Sequence, residues 1–278
     1  MDKIAVVTDS TCDLDAAVLQ KLNVAVLPLK VIYRDREYTD RVDITPAEIF
    51  KNLDREVPRT SLPSPGETNS LFEKLRDQGI THVLCLHISS GLSGTMQMVR
   101  TVAEEFKGMV IKVLDSKSLS WGVGFPVLEA ARKVQEGGTF EQVVTIAEEV
   151  ISRIQTFFVV GTLEYLKKGG RIGYVAGSIG ELLQVKPIVS INDEGKYYTY
   201  DKVRGRKKSL QRMFEIIQEK TANQSCKAAV CHGDAEEEAR DLADKIKELK
   251  NIQEVFFGQI GPVMVVHSGP GLVGVVLY

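Results

Sequence analysis

No run of apolar residues in this chain is long enough to cross a bilayer as a helix, which excludes a helical membrane protein. An excess of charge of one sign is missing too. The 35 Lys and Arg against 37 Asp and Glu leave a net charge of −2, which argues against a dedicated nucleic-acid or anionic-membrane surface. Cysteine is scarce, and Cys12, Cys85, Cys226 and Cys231 have neither zinc nor redox spacing. The histidines His82, His87, His232 and His267 show no metal-ligand spacing either. There is no Walker lysine, no G-x-G-x-x-G and no G-x-S-x-G nucleophile elbow. The opening Met1-Asp2-Lys3-Ile4-Ala5-Val6-Val7 runs directly into a strand pattern, so no signal peptide is expected. Together these absences predict a reduced, cytoplasmic protein with no metal, no cofactor and no stable membrane insertion.

What is present suffices for two cores, at 44% hydrophobic over 278 residues. Residues 1–155 alternate strand and helix patterns, the signature of a three-layer α/β domain around a parallel sheet. In residues 156–278, Lys186–Ile191 and Lys196–Tyr200 flank Asn192-Asp193-Glu194-Gly195 as a hairpin, so this second α/β domain should hold a mixed sheet. Further strands are expected at Phe157–Gly161, Ala228–His232, Val255–Phe257, Val263–Val266 and Leu272–Tyr278. Helices are expected at Val175–Leu183, Leu210–Ile217 and Asp234–Leu249.

The first half is organised around His87-Ile88-Ser89-Ser90-Gly91-Leu92-Ser93-Gly94-Thr95. This stretch follows the buried-strand pattern His82–Leu86 and precedes a helix whose Met98, Val102 and Phe106 share a face. A strand, a hydroxyl- and glycine-rich turn and a helix start make an anion site: free N–H groups and the positive end of the helix dipole meet there. Ser89, Ser90, Ser93 and Thr95 add hydroxyl donors. The competing reading is a solvated turn in which Ser93 or Thr95 only caps the helix.

Thr8-Asp9-Ser10-Thr11-Cys12-Asp13 leaves the first strand and can face the same crevice, since ligands gather at the carboxyl ends of parallel strands. Alternatively, Thr11 or Asp13 caps the next helix. Thr45-Pro46-Ala47-Glu48 and Ser64-Pro65-Gly66-Glu67 read as capping boxes with proline at the first helical position. Ser64 is therefore spent on structure, whereas Thr60 and Ser61, in a stiff extended loop, remain available to a ligand or as surface hydroxyls. In the second half, Arg171 follows the Gly169-Gly170 end of a short helix, where it can reach an anion or pair with a surface carboxylate. Lys202, Arg204, Arg206, Lys207 and Lys208 form a solvated face or a docking patch for an acidic or phosphorylated partner. His267, beside Gly269 and Gly271 at an expected strand end, can donate to an anion, shuttle a proton or tie down a loop carbonyl.

Seven stretches, in order and with their spacing, resemble the signatures of the DegV family across essentially the whole chain. They are Val7–Thr11, Thr60-Ser61-Leu62-Pro63-Ser64-Pro65, Ser89–Thr95, Asp115-Ser116-Lys117-Ser118, Leu166–Ile172, Lys186-Pro187-Ile188 and His267-Ser268-Gly269-Pro270-Gly271. The resemblance implies a two-domain α/β protein that binds one long-chain fatty acid, with the carboxylate at the domain interface and the tail buried within 156–278. By motif position it implies carboxylate contacts from Thr60, Ser93 and His267, supported by Ser61, Gly94, Thr95 and Arg171. The FakB-like branch further implies a monomer that presents the fatty acid to a separate ATP-dependent fatty acid kinase, which forms the acyl-phosphate. Kinase engagement would fall on His267 and on Arg204 or the neighbouring Arg206, with no catalytic residue in this chain. Leu62 departs from the family, which commonly carries glutamine there. At about 0.8 kcal/mol per buried CH₂, a long tail supplies on the order of 10 kcal/mol, so the tail rather than the head would dominate affinity. The alternative from another class is an acyl or phosphoryl transferase or hydrolase with Ser93 as nucleophile and His267 as base. A nucleotide or sugar-phosphate binder at Gly91–Thr95 lacks a supporting motif.

Overall fold

The computed structural model describes residues 2–178 and 185–278, and the chain divides into two units. The first comprises the chain up to Asp43 together with Thr60–Arg153; the second comprises Ile44–Arg59 and Ile154–Tyr278. One cut near 155 therefore omits an excursion, since 44–59 groups with the second unit. Through this part the chain runs β1 (Ile4–Asp9), a 3₁₀ turn (Ser10–Cys12), α1 (Ala16–Lys21), β2 (Ala25–Leu27), β3 (Lys30–Ile32), β4 (Glu37–Thr39), α2 (Pro46–Asn52) and β5 (Arg59–Ser61). It continues with α3 (Pro65–Asp77), β6 (His82–His87), α4 (Thr95–Glu105), β7 (Val110–Asp115), α5 (Trp121–Gln135) and α6 (Phe140–Arg153).

In the first unit, β1 and β6 are nearly continuous apolar runs, as strands covered on both faces must be. The sheet order is β2-β1-β6-β7 and every pair is parallel, with Ile4 opposite His82 and Thr8 opposite Leu86. Ala5, Val7, Val83 and Cys85 pack on one face against Phe72 and Leu75 of α3 and Val99 of α4. The other face takes α5, buried almost all round from Trp121 to Ala131, with α6 behind it. The connection to β2 leaves β1 on one side and the connection to β7 leaves β6 on the other. The β1 and β6 exits thus flank a topological switch point, the usual crevice for a ligand in such sheets. A small sheet, β4-β3-β5, carries Thr60 and Ser61. Both expected capping boxes form: Glu48 N–H reaches Thr45 Oγ1 at 3.3 Å and Glu67 N–H reaches Ser64 Oγ at 3.1 Å, each glutamate returning to the cap N–H at 2.8 Å.

The second unit continues with β8 (Gln155–Val159), α7 (Glu164–Lys168), a 3₁₀ helix (Gly173–Ser178), β9 (Val185–Ile191), β10 (Tyr197–Arg204), α8 (Arg206–Thr221) and β11 (Cys226–Gly233). It ends with α9 (Glu236–Lys247), β12 (Ile252–Gln259), α10 (Pro262–Ser268) and β13 (Leu272–Leu277). Its sheet is mixed, in the order β10-β9-β8-β13-β11-β12, and only β11 and β12 run parallel. Phe157, Val159, Val230, Val273 and Val275 form its core with Met213 and Ile217 of α8 and Leu242 and Ile246 of α9.

Two expectations are corrected. The Val263–Val266 run is not a strand but the middle of α10. Pro262 sits at the helix's first turn, and Gly269 at φ 64° ends it, so the bracketing residues and burial override β-branched propensity. His267 accordingly lies in the last turn of a helix rather than at a strand end. Of the helix expected over 175–183, the part up to Ser178 is 3₁₀, and 179–183 lie outside the described residues. No helix among the described residues is long and apolar enough to cross a membrane.

Candidate functional site

At the carboxyl end of the parallel sheet, buried Asp9 organises two strand exits. Its Oδ1 accepts from Thr11 N–H at 3.0 Å and from the Thr11 hydroxyl; its Oδ2 accepts from Ile88 N–H at 2.9 Å and meets His87 Nδ1 at 3.1 Å. Burial pushes the Asp9 carboxyl up, but the hydrogen bonds and charge from His87, with Thr11 and Ile88, outweigh it and hold the group below the usual carboxylate range. Asp115, at the end of β7, holds the β6 exit from the other side through Ser90 N–H at 3.2 Å and the Ser90 hydroxyl. The β1 exit is fixed separately. Asp13 pairs with Arg41 and accepts from the Ser120 hydroxyl, so neither Asp13 nor Thr11 caps α1, whose cap position is Asp15.

Much of the expected anion-binding backbone is therefore committed elsewhere. Ser89 N–H goes to Ser118 O, Gly91 N–H to Ser89 Oγ, and both Leu92 and Ser93 N–H to Ser89 O. What points onward is the start of α4. Gly94 is its cap position and makes no side-chain cap bond, and the first turn carries no acidic residue. The helical ladder begins only with Met98 N–H to Gly94 O, which leaves Met96 and Gln97 N–H in the uncapped first turn. Ser93 Oγ accepts from Thr95 N–H at 3.3 Å and shares one proton with Thr95 Oγ1 at 2.9 Å. Two hydroxyls with one hydrogen bond between them have a second proton left to donate. Ser93 stands one position before the Gly94 cap and takes the first-turn Thr95 N–H, so it serves α4 in part, and the pair keeps a donor at the positive end of the helix.

The Thr60–Leu62 stretch lies against the same turn, with Leu62 Cδ2 3.7 Å from where a Cβ on Gly94 would sit. Ser61 Oγ donates to Leu62 O at 3.1 Å, which occupies its proton. Thr60, Ser61 and Ser93 are half-buried and Thr95 is buried.

In the second unit three motif stretches converge. The ring of His267, on α10, abuts Gly169 at the end of α7, and the ring of Tyr165 lies over Gly269. Gly161 backs onto the carbonyl of Pro270, while the Lys186 ammonium donates to Gly161 O. Arg171 Nη1 donates to Gly169 O at 2.7 Å. Burial, helped by the Arg171 charge, pushes the His267 imidazole down to about 4, so the ring is neutral at neutral pH. Farther along the chain, Arg206 is committed to Glu238 through both Nε and Nη2, whereas Arg204 is exposed at the end of β10.

The Asp9–His87 pair and Gly169 escaped the sequence reading. His87 ends the strand beside the one that Asp9 ends, and that adjacency was the available signal. No set of three or more His, Cys, Asp and Glu side chains placed to hold a metal occurs among the described residues.

These features define a two-unit α/β protein whose candidate ligand groups sit at strand exits and helix ends. The family model described as an uncharacterised DegV family protein matches residues 3–278, and the chain belongs to the DegV family. A DegV domain-containing protein of Clostridium acetobutylicum is 48% identical over 278 residues, covering 100% of this chain and 99% of that one. A structure described as fatty acid binding of a DegV family protein from Thermus thermophilus matches at TM-score 0.94 and 33% identity, over 99% of each chain. A stearic acid-binding protein from Eubacterium ventriosum matches at TM-score 0.89 and 30% identity, over 100% of this chain and 98% of that one.

Proposed function

We propose that this chain, as a cytoplasmic monomer, binds one long-chain fatty acid and presents it to a separate ATP-dependent fatty acid kinase, with no catalysis or cofactor of its own. The carboxylate is taken by the hydroxyls of Thr60 and Ser93 and by His267, with Ser61, Gly94, Thr95 and Arg171 in support. The tail is buried within residues 156–278. The observation that supports this most is the α4 start, which combines a spare hydroxyl proton on the Ser93–Thr95 pair with an uncapped first turn and no acidic side chain to neutralise the helix dipole. A carboxylate there replaces the missing cap. Because His267 is neutral, it serves as a hydrogen-bond donor, and Arg171 supplies the positive charge. The fatty acids named for the relatives from Thermus thermophilus and Eubacterium ventriosum favour this ligand class.

Lipid extracted from chain purified from a bacterial host should contain one fatty acid per chain by mass spectrometry, and the delipidated chain should bind stearate. Ser93→Ala should weaken stearate roughly tenfold, the cost of one lost hydrogen bond to a charged group. No extracted lipid together with no stearate binding would overturn the reading, and a chromogenic acyl ester cleaved with a Ser93-dependent burst would favour a hydrolase. On the kinase side, exposure favours Arg204 over Arg206. Arg204→Ala should lower acyl-phosphate formation in a reconstituted kinase assay while leaving stearate affinity unchanged.

A further inference from the structure

We infer that Gly169 is a positioning residue for ligand binding: its bare Cα is the seat of the His267 imidazole, and its carbonyl anchors Arg171 beside that ring. This rests on the reading that His267 and Arg171 meet the carboxylate.

Gly169 ends α7 at φ −76° and ψ −6°, an ordinary right-handed conformation that any residue adopts. Backbone geometry therefore gives no reason for glycine here. Space does: a Cβ would fall 2.2 Å from His267 Nδ1 and 2.9 Å from Cε1, inside the van der Waals envelope of the ring. The neighbouring Gly170 is the reverse case, at φ 69° with nothing within 4 Å of an added Cβ. The two adjacent glycines thus answer different demands, Gly170 the turn and Gly169 the ring.

The imidazole has little room to yield. Pro262 to Val266 and Ser268 of α10 are buried, and the helix is pinned at its end by Gly269 N–H to Val265 O at 2.8 Å. Past that end, the Tyr165 ring occupies the space a Cβ on Gly269 would need, 2.1 Å from Cδ2. Tyr165 in turn belongs to α7, and its carbonyl accepts from Gly169 N–H at 2.8 Å. Both partners of the contact are held from behind, so any side chain at 169 must turn the ring. The same peptide group holds Arg171 through the 2.7 Å bond to Gly169 O, so ring and guanidinium are referenced to one residue.

A double-mutant cycle tests this: Gly169→Ala, His267→Ala and the double variant in delipidated full-length chain, titrated calorimetrically with stearate, with Gly170→Asn as a control in the same turn. Gly169→Ala should weaken stearate roughly tenfold or more where His267 is present and less than about twofold in the His267→Ala background. The NMR signals of the His267 ring should move in Gly169→Ala and stay in place in Gly170→Asn. Equal losses in both backgrounds, or unmoved ring signals, overturn the inference. His267→Ala with unchanged stearate affinity overturns the carboxylate assignment instead, and it is told apart because the ring signals still move in Gly169→Ala. Should Gly169→Ala fail to fold, recovery of folding in the double variant supports the seat, and failure of both overturns it.

Discussion

Two titratable side chains, the partly buried His267 and the buried Asp9, respond to acid in separate windows. His267 is pushed from its ordinary 6.5 to about 4 by burial and by Arg171. Between those values the unfolded chain binds a proton that the folded chain does not, so stability falls as pH drops through this window and is unaffected above it. His232, lowered chiefly by burial, adds to the same step. Asp9 is a carboxyl held below its ordinary 3.8, so its contribution is intact above that value and is lost as pH falls beneath it. Urea midpoints followed against pH should therefore show two acid steps, with His267→Gln shrinking the first and sparing the second. An imidazole signal for His267 titrating near 6.5 would contradict this. Asp9→Asn removes a carboxylate that accepts from Thr11, His87 and Ile88 at once, and an amide cannot replace it. The expected loss is about 3 kcal/mol in urea unfolding, as for breaking a buried pair.

Elements bounded by their own punctuation were legible in the sequence; elements bounded by their neighbours were not. The capping boxes at Thr45 and Ser64 and the β9–β10 hairpin need only residues within a few positions, and each forms where the pattern puts it. Val263–Val266 is a β-branched run whose helical state depends on Pro262, on Gly269 and on being enclosed by α2 and α7. The Ser89–Ser93 turn was legible as a turn, but the fate of the Ile88 and Ser90 N–H groups at its entry was not, because Asp9 and Asp115 come from other strands. Two serines that both precede helices make the distinction measurable. Ser64 caps α3, so Ser64→Ala should cost about 1 kcal/mol of stability with no change in ligand affinity. Ser93 takes only the Thr95 N–H of α4, through a long 3.3 Å bond, so Ser93→Ala should cost about 0.5 kcal/mol or less while weakening stearate. Equal stability losses in the two variants would mean that the Ser93 hydroxyl is structural after all.

At the scale of the whole chain, alternation of strand and helix gave the parallel unit and the hairpin gave the mixed one, because both are statements about hydrophobic period and turn chemistry. The excursion of 44–59 into the second unit was not readable, since nothing in its composition says which core it joins. The Gly169 seat was hidden for a related reason: an expected C-cap glycine already explains the Gly169-Gly170 pair, and only the packing of α10 shows that the first of them serves a ring about a hundred residues away. The same separation in sequence gives the ligand a thermodynamic role. A molecule that binds the folded chain and not the unfolded one stabilises it by mass action, by about 2.7 kcal/mol when its free concentration is a hundred times Kd. Delipidated chain should therefore melt below stearate-loaded chain, and the gap should widen with stearate concentration. Ser93→Ala should narrow that gap because it weakens binding, whereas Arg204→Ala, exposed on β10, should leave it intact. A melting temperature indifferent to stearate in the parent chain would mean that the folded state has no preferential affinity for the acid, and the fatty-acid reading would fall with it.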